Sequence, residues 1–198
     1  MKAHHKTLKR ILDVALSLLT LLVIWWLLLI LIVLATIDTN QFGLFVQTRV
    51  GCKAKLFKMY KIRTMKKVLN LNTTVTTLKD KRITKFGRFL RNYKLDELPQ
   101  LINVFFGQMS FVGPRPDVIG FADQLKGEDK MILSVKPGIT GPASIFFKNE
   151  EELLATQDDP EKYNKIIIWP QKVKLNKDYI KNYSIFKDIY YIYKTIIS

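Results

Sequence analysis

The chain begins with a short basic segment and continues into one long apolar run. Residues 14–37 read VALSLLTLLVIWWLLLILIVLATI, without a charge, a proline or a glycine. As a helix, these about 24 residues would extend roughly 36 Å, which exceeds the hydrocarbon thickness of a bilayer. A soluble core helix rarely stays apolar on all sides over this length, and no signal-peptide cleavage site follows. The pattern predicts a membrane-embedded helix within residues 1–40 and one domain over residues 41–198.

Basic residues lie on both sides of this helix. Lys9 and Arg10 precede it, and Arg49 and Lys53 follow it. Because positively charged flanks favour the cytoplasmic side of a membrane, a straight span would satisfy only one of them. One resolution is a re-entrant helix that returns to the face from which it entered. A true span, oriented by the stronger flank, is the alternative.

Shorter patterns predict an α+β domain that is mostly helical. Residues 42–63 contain two β-favouring stretches, LFVQTRV and LFKMYKI, which indicate a pair of strands. Residues 66–82 are polar and rich in threonine, which favours a loop. The final stretch, SIFKDIYYIYKTIIS, repeats isoleucine along one helical face beside tyrosine and lysine. It predicts an amphipathic helix, either at a membrane interface or packed on the domain.

A basic helix is predicted after the loop. Thr84 is a suitable N-cap for the sequence KFGRFLRNY. Its Lys85, Arg88 and Arg91 recur at every third position and share one face. This face is either an anion-binding surface or an ordinary solvated one.

A second helix is predicted at LDELPQLINVFFG. Asp96 stands at a natural N-cap position, and Gly107 lies where a helix stop belongs. A carboxylate there is expected to stay ionised, because the helix dipole and nearby Arg91 favour the charged form. Two Pro-Gly loops follow, GPRPD and KPGITGP. The first holds Arg115 between two prolines, in a restricted backbone that suits a phosphate contact.

The charge of the chain indicates an anionic partner. The 198 residues include 32 lysines and arginines against 17 acidic residues, for a net charge of +15. Nucleic acid, phospholipid headgroups and phosphorylated substrates all suit such a charge, but no nucleic-acid motif is recognised. The single cysteine, Cys52, excludes a disulfide within this chain and a cysteine-based zinc site. A reducing compartment is the simplest interpretation.

The adjacent carboxylates Asp96 and Glu97 are the main candidates for chemistry. In a helix their side chains would diverge by about 100°, so they would take different roles rather than share a proton. Asp96 is a candidate nucleophile, and Glu97 is a candidate ligand of Mg²⁺, which usually takes one or two carboxylates plus substrate phosphates. From spacing alone, a helix cap and a favourable first-turn charge explain the pair better.

Several motifs in one order change this balance. They are KRILD before the apolar run, FVQTRVG at 45–51, FKMYKIRTM at 57–65, the KFGRFLR helix, LDELPQLINVFFGQMSFVGPRP at 95–116 and VKPGITG at 135–141. Together they cover roughly residues 8–141. In this order they resemble the small monotopic phosphoglycosyl transferases, often called bacterial sugar transferases.

The resemblance implies an enzyme of the bacterial inner membrane, with a re-entrant membrane helix and a catalytic domain that faces the cytoplasm. It would transfer a sugar phosphate from a uridine diphosphate sugar to polyprenyl (undecaprenyl) phosphate, and so initiate the assembly of a membrane-bound glycan such as an exopolysaccharide. Asp96 would attack the β-phosphate to form a sugar-phosphoryl aspartate, and Glu97 would bind Mg²⁺. Four basic residues match family positions expected to hold phosphates: Lys61, Arg63, Arg91 and Arg115. A second copy of the chain is a further candidate partner.

Two features depart from the family pattern. Family members commonly interrupt the membrane helix with a Ser-Pro pair, whereas this chain has Trp25 and Trp26. A bend would then depend on packing, or on Ser17 and Thr20 bonding to the backbone. After VKPGITG the sequence PASIFFKNEEELL also differs, which leaves the donor sugar open. The alternative function is that of a membrane-tethered basic protein that binds nucleic acid or anionic lipid without catalysis.

Overall fold

The computed structural model describes residues 3–67 and 80–197, so most of the loop predicted at residues 66–82 lies outside the described residues. The described chain is mostly helical with a few short strands, as predicted. In chain order the elements are α1 (Ala3–Thr39), β1 (Leu44–Val50), β2 (Leu56–Ile62), α2 (Lys85–Asn92), α3 (Gln100–Phe105), β3 (Ser110–Val112), β4 (Gly138–Thr140), α4 (Pro142–Phe146), α5 (Glu150–Ala155), α6 (Pro160–Tyr163), α7 (Trp169–Lys181) and α8 (Ile185–Ile197).

The apolar run forms one uninterrupted helix. The 37 residues of α1 extend about 55 Å and are apolar enough to cross a membrane. Most of its large side chains point outward, and Trp25 and Trp26 are 59% and 54% exposed. The hydroxyls of Ser17 and Thr20 donate to backbone carbonyls three and four residues earlier, without interrupting the helix.

The start of α1 is fastened to the domain by polar contacts. Lys9 forms an ion pair with Asp188 of α8, with Nζ and Oδ2 2.5 Å apart. Arg10 donates hydrogen bonds of 2.6 and 2.7 Å to two carbonyl oxygens at the end of α3. Asp13 accepts a hydrogen bond from the backbone N–H of Phe111 at 3.1 Å. Lys9 and Asp13 are buried where these contacts form.

The end of α1 is held by apolar packing. Ala35 is fully buried in a cluster with Ile62 of β2 and Leu90 of α2. A Cβ on Gly43 would lie 2.0 Å from the carbonyl oxygen of Ile32, so a glycine is needed where the chain turns back along α1. Contacts near residues 9 and 35 are separated by roughly 39 Å of helix. The domain therefore lies alongside α1 rather than beyond one of its ends.

Two small sheets carry the loops of the domain. β1 and β2 are antiparallel, with Leu44 opposite Ile62, which confirms the pair of strands predicted in residues 42–63. β3 and β4 are parallel. Because β4 comprises Gly138–Thr140, the prediction of a loop for all of KPGITGP was wrong. Its partner β3 lies more than twenty residues earlier, so short-range patterns do not reveal the pairing.

The basic helix α2 begins as predicted, because the Thr84 hydroxyl accepts a hydrogen bond from the N–H of Gly87 at 2.8 Å. Gly87 is also required by space, since a Cβ there would lie 2.1 Å from the carbonyl oxygen of Thr64. The missing side chain lets α2 pack closely against Thr64. This residue lies in the segment that leads from β2 to an antiparallel β-bridge between Met65 and Ile83.

The predicted helix at residues 95–107 differs from its expectation. Leu95–Glu97 is a single 3-10 turn, and α3 starts only at Gln100. The prediction that Asp96 caps a helix was therefore wrong. The backbone of Lys94 adopts a φ of 55°, and this left-handed conformation turns the chain before a helix can begin. Gly107, with a φ of 79°, follows the end of α3 as predicted.

The C-terminal helices complete the core. Val112 of β3 packs with Ile132, and with Val173 and Ile180 of α7. The predicted C-terminal helix forms as α8, whose inner face buries Asp188. Its outer face exposes a stripe of large apolar residues: Phe186, Ile189, Tyr190, Tyr193, Ile196 and Ile197.

Candidate active site

Asp96 and Glu97 lie in the 3-10 turn between α2 and α3, close to the end of β2. Asp96 is only 9% exposed, and the side chain of Glu97 is 14% exposed. The left-handed turn at Lys94 places these carboxylates inside the domain rather than on its surface. Buried carboxylates require compensating charges, and the neighbouring elements supply them.

Glu97 is held between two cations. Lys61, the second-last residue of β2, places its Nζ 3.0 Å from Oε1 of Glu97. Arg115 binds the same carboxylate with both terminal nitrogens. Although burial alone would raise it, Arg115 and Lys61 hold the pKa of Glu97 well below its usual range. Glu97 is therefore an ionised carboxylate at neutral pH.

Asp96 has a different electrostatic environment. Burial raises the pKa of Asp96, and the neighbouring charge of Glu97 raises it further, while Lys61 and Arg91 oppose the change. This direction is opposite to the expectation that a helix dipole would keep Asp96 ionised. The reason is that Asp96 lies in a buried single turn and not at the exposed start of a helix.

The loop that carries Arg115 is tied to β4. The N–H of Gly113 donates to the carbonyl oxygen of Thr140, and the N–H of Gly138 donates to that of Pro114. A Cβ on Gly113 would lie 2.5 Å from the carbonyl oxygen of Lys136, so this glycine permits the close approach. The proline-restricted loop therefore holds Arg115 at Glu97.

The other two predicted phosphate residues have different contacts. Arg91 of α2 forms an ion pair with Glu151 of α5, and its positive charge acts to lower the pKa of Asp96. Arg63 donates from Nε to the carbonyl oxygen of Phe42 at 2.9 Å, and its guanidinium lies 5.2 Å from the ring centre of Phe45. The structure thus brings Lys61 and Arg115 onto the acidic pair and Arg91 beside it. Arg63 is engaged at the start of β1.

Further charged residues surround Arg115 that the sequence analysis did not select. Arg49 of β1 and Asp117 both interact electrostatically with Arg115. Burial raises the pKa of Asp117 to about 7, although Lys172, Arg49 and Arg115 oppose this. Lys172 of α7 is itself paired with Glu150 at 2.6 Å. Position in the motifs FVQTRVG and GPRPD was the available signal for Arg49 and Asp117.

The acidic pair can serve as a Mg²⁺ site only together with substrate. Within residues 3–67 and 80–197, no cluster of three acidic, histidine or cysteine side chains is suited to a metal ion. Mg²⁺ is often held by one or two carboxylates plus substrate phosphates, and Asp96 and Glu97 provide that number. In the structure, Lys61 and Arg115 occupy the carboxylate of Glu97.

Buried carboxylates facing convergent cations, on a domain that lies along an apolar helix, are suited to binding a phosphorylated ligand. The chain belongs to the bacterial sugar transferase family, whose model matches residues 4–198. This match includes every site residue discussed above.

Known relatives agree with this family. The chain is 37% identical over 197 residues to a UDP-glucose:undecaprenyl-phosphate glucose-1-phosphate transferase of Escherichia coli, covering 97% of this chain and 40% of the relative. It is 34% identical to the galactosyl transferase CpsE of Streptococcus agalactiae, covering 98% of this chain and 42% of the relative. It is 36% identical to the exopolysaccharide production protein PSS of Rhizobium leguminosarum, covering 96% of this chain and 94% of that protein. The chain thus spans about two fifths of the first two relatives.

Proposed function

We propose that this protein transfers a sugar phosphate from a uridine diphosphate sugar to undecaprenyl phosphate, through a covalent intermediate on Asp96. The observation that carries the proposal is the placement of Asp96 beside Glu97, which is held between Lys61 and Arg115. The names of relatives from Escherichia coli and Klebsiella pneumoniae describe transfer of glucose 1-phosphate from UDP-glucose to undecaprenyl phosphate. The name of the Rhizobium relative supports a role in exopolysaccharide production.

In the first step, a carboxylate oxygen of Asp96 attacks the β-phosphorus of the donor. The new bond joins Asp96 to the sugar phosphate, and the bond from the β-phosphorus to the bridging oxygen breaks with its electron pair passing to the nucleoside monophosphate. Lys61 and Arg115 neutralise phosphate oxygens as charge moves onto the leaving group. Attack requires the ionised form of Asp96, and Lys61 favours that form.

Glu97 has two roles in this proposal. Before substrate binds, it keeps Lys61 and Arg115 in place, because neither cation has another acidic partner in the described ion pairs. When phosphates engage these cations, Glu97 becomes available to Mg²⁺, which would supply charge neutralisation to the diphosphate. The charge of Glu97 would therefore be balanced in both states, by Lys61 and Arg115 without substrate and by Mg²⁺ with it.

In the second step, undecaprenyl phosphate attacks the phosphorus of the intermediate, and Asp96 is released. A polyprenyl acceptor requires a site that opens toward lipid. The outward apolar faces of α1 and α8 are fastened together by Lys9 and Asp188, so both can contact one membrane. We place the domain on the cytoplasmic side, with both ends of α1 on that side, because the domain contacts α1 near both ends.

Intact mass of the purified protein tests the chemistry. The protein is incubated with a panel of uridine diphosphate sugars and Mg²⁺, without lipid acceptor, beside the Asp96→Asn variant. We expect a sugar-phosphate adduct on the wild type only, and its loss on addition of undecaprenyl phosphate. Adduct on the variant would place the nucleophile elsewhere. Salt-sensitive lipid or nucleic-acid binding without turnover would support the non-catalytic alternative.

A further inference from the structure

Arg49 has an unusual set of contacts for a partly buried arginine. Its Nε and Nη2 donate to the side-chain oxygen of Gln47 at 3.1 and 2.7 Å, and Nη1 donates to the carbonyl oxygen of Pro116 at 3.4 Å. All of these acceptors are neutral. Within the described residues Arg49 forms no ion pair, whereas Arg82, Arg91 and Arg115 each bind a carboxylate.

The neighbourhood of Arg49 makes this lack of a counter-charge costly. Burial, together with the nearby positive charge of Arg115, lowers the pKa of Arg49 to about 10, and the charges of Asp117 and Glu97 only partly oppose this change. Two guanidinium groups that approach each other in a partly buried site repel, and an anion bound between them removes the repulsion. The arrangement is therefore suited to an anionic ligand.

Neither nearby carboxylate supplies that anion. Glu97 is already bound by Lys61 and Arg115. Asp117 lies close to Arg49 without forming an ion pair with it, and burial raises the pKa of Asp117 to about 7. Asp117 is thus partly protonated near neutral pH and is a weak counter-charge. Its backbone oxygen instead accepts a hydrogen bond of 2.9 Å from Val50, which fixes the spacing between β1 and the Arg115 loop.

We infer that Arg49 is a further substrate-binding residue, which together with Arg115 binds the phosphate of the departing nucleoside monophosphate. This inference rests on the proposed function. In-line displacement puts the leaving oxygen on the side of the phosphorus opposite the attacking carboxylate. Arg115 contacts Glu97, next to Asp96, and Arg49 donates a hydrogen bond to Pro116, the residue after Arg115, so the cationic surface continues from Glu97 to Arg49.

The reaction itself strengthens this contact. As the bond between the β-phosphorus and the bridging oxygen breaks, its electron pair moves to the nucleoside monophosphate, whose phosphate gains negative charge. An arginine without a competing carboxylate can bind this phosphate with two parallel hydrogen bonds. Arg49 would therefore contribute to leaving-group stabilisation as well as to donor binding.

Direct nucleotide binding tests this subsite without requiring turnover. The full chain in detergent is titrated calorimetrically with uridine monophosphate and, separately, with uridine, for the wild type, Arg49→Gln and Arg49→Lys. Arg82→Gln is the matched control, because Arg82 is paired with Asp80 by three hydrogen bonds. We expect Arg49→Gln to weaken uridine monophosphate binding about tenfold or more, while uridine binding changes less than about twofold. Arg49→Lys should lose less, since it keeps the charge but not the two-pronged contact.

The ratio of the two affinities separates a phosphate contact from a structural role. If Arg49 only supports the loop through Pro116, Arg49→Gln will weaken both ligands equally, and this result would overturn the inference. Unchanged uridine monophosphate affinity, or no binding of it by the wild type, would overturn it too. Should Arg49→Gln fail to fold, the same ratio in Arg49→Lys decides. A selective loss without any covalent adduct would keep the subsite and reject the proposed reaction.

Discussion

Lys61 and Glu97 lie 36 positions apart in the chain and form an ion pair that is shielded from solvent, with Nζ and Oε1 3.0 Å apart. The pair depends on how β2 is held against α3. Asn103 of α3 accepts a hydrogen bond from the N–H of Tyr60 at 3.1 Å and donates to the carbonyl oxygen of Lys58 at 2.7 Å. This fully buried amide fixes the strand one residue before Lys61.

Lys61→Gln is expected to reduce the rate of adduct formation by about tenfold to a hundredfold, because both the donor phosphate and Asp96 lose a cation. Glu97 keeps Arg115, so the loss of folding free energy should be only about 1–3 kcal/mol. Intact mass measured after quenching at a series of times gives the rate of adduct formation, and urea denaturation gives the free energy of unfolding. Lys58→Gln changes an exposed lysine on the same strand and should affect neither. Wild-type rates in Lys61→Gln would contradict the assignment.

Asp96→Asn should reduce adduct formation by at least about a thousandfold without reducing stability. Burial raises the pKa of Asp96 above the pKa that it has in the unfolded chain. At pH values above that unfolded pKa, ionising Asp96 therefore lowers the free energy of unfolding. The variant removes this penalty, so it should unfold at an equal or higher temperature than the wild type at pH 8. The difference should shrink toward pH 4. A clear loss of stability at pH 8 would show that the charge of Asp96 supports the fold.

Asp117 should make the wild type lose stability as pH rises from about 4 to about 7. Its carboxyl has a pKa of about 7 in the folded protein against 3.8 ordinarily, so the folded state binds the proton more tightly across that interval. Above pH 7 the penalty is constant. Asp117→Asn should flatten the profile by roughly 1–2 kcal/mol, after allowance for solvent access to the carboxyl. Urea denaturation across pH measures it, with the exposed Asp158→Asn as the control. Identical profiles would reject the prediction.

Asp188→Ala should destabilise the protein by about 3–5 kcal/mol, because it leaves the buried Lys9 without its ion-pair partner. The hydroxyl of Tyr179, which donates to Asp188 at 2.5 Å, also loses its acceptor. Thermal unfolding in detergent measures the loss. Adding Lys9→Met should recover part of it by removing the unpaired ammonium group. Asp178→Ala, at an exposed position, is the matched control. Equal effects of the two alanine variants would argue against a stabilising role for the Lys9–Asp188 ion pair between α1 and α8.

Local patterns predicted the elements that depend on neighbouring residues. The cap at Thr84, the strand pair in residues 42–63 and the final amphipathic helix were all confirmed. The cap at Asp96 was wrong, because the left-handed backbone at Lys94 begins a separate turn. Helices α5 and α7, within the polar segment 149–181, were not predicted, since their stability comes from packing on the rest of the domain.

The sequence by itself determined the apolar helix, the family and the acidic pair with its candidate cations, because apolar length and motif order are written along the chain. Only the tertiary structure decided which cations reach the acidic pair. Lys61 and Arg115 lie on separate elements that meet at Glu97, while Arg63 is engaged elsewhere. The tertiary structure also decided the directions in which the pKa values of Arg49 and Asp96 shift, and it brought the charge of Arg115 close to Arg49. Burial and the proximity of charges depend on distances between segments that are remote in sequence.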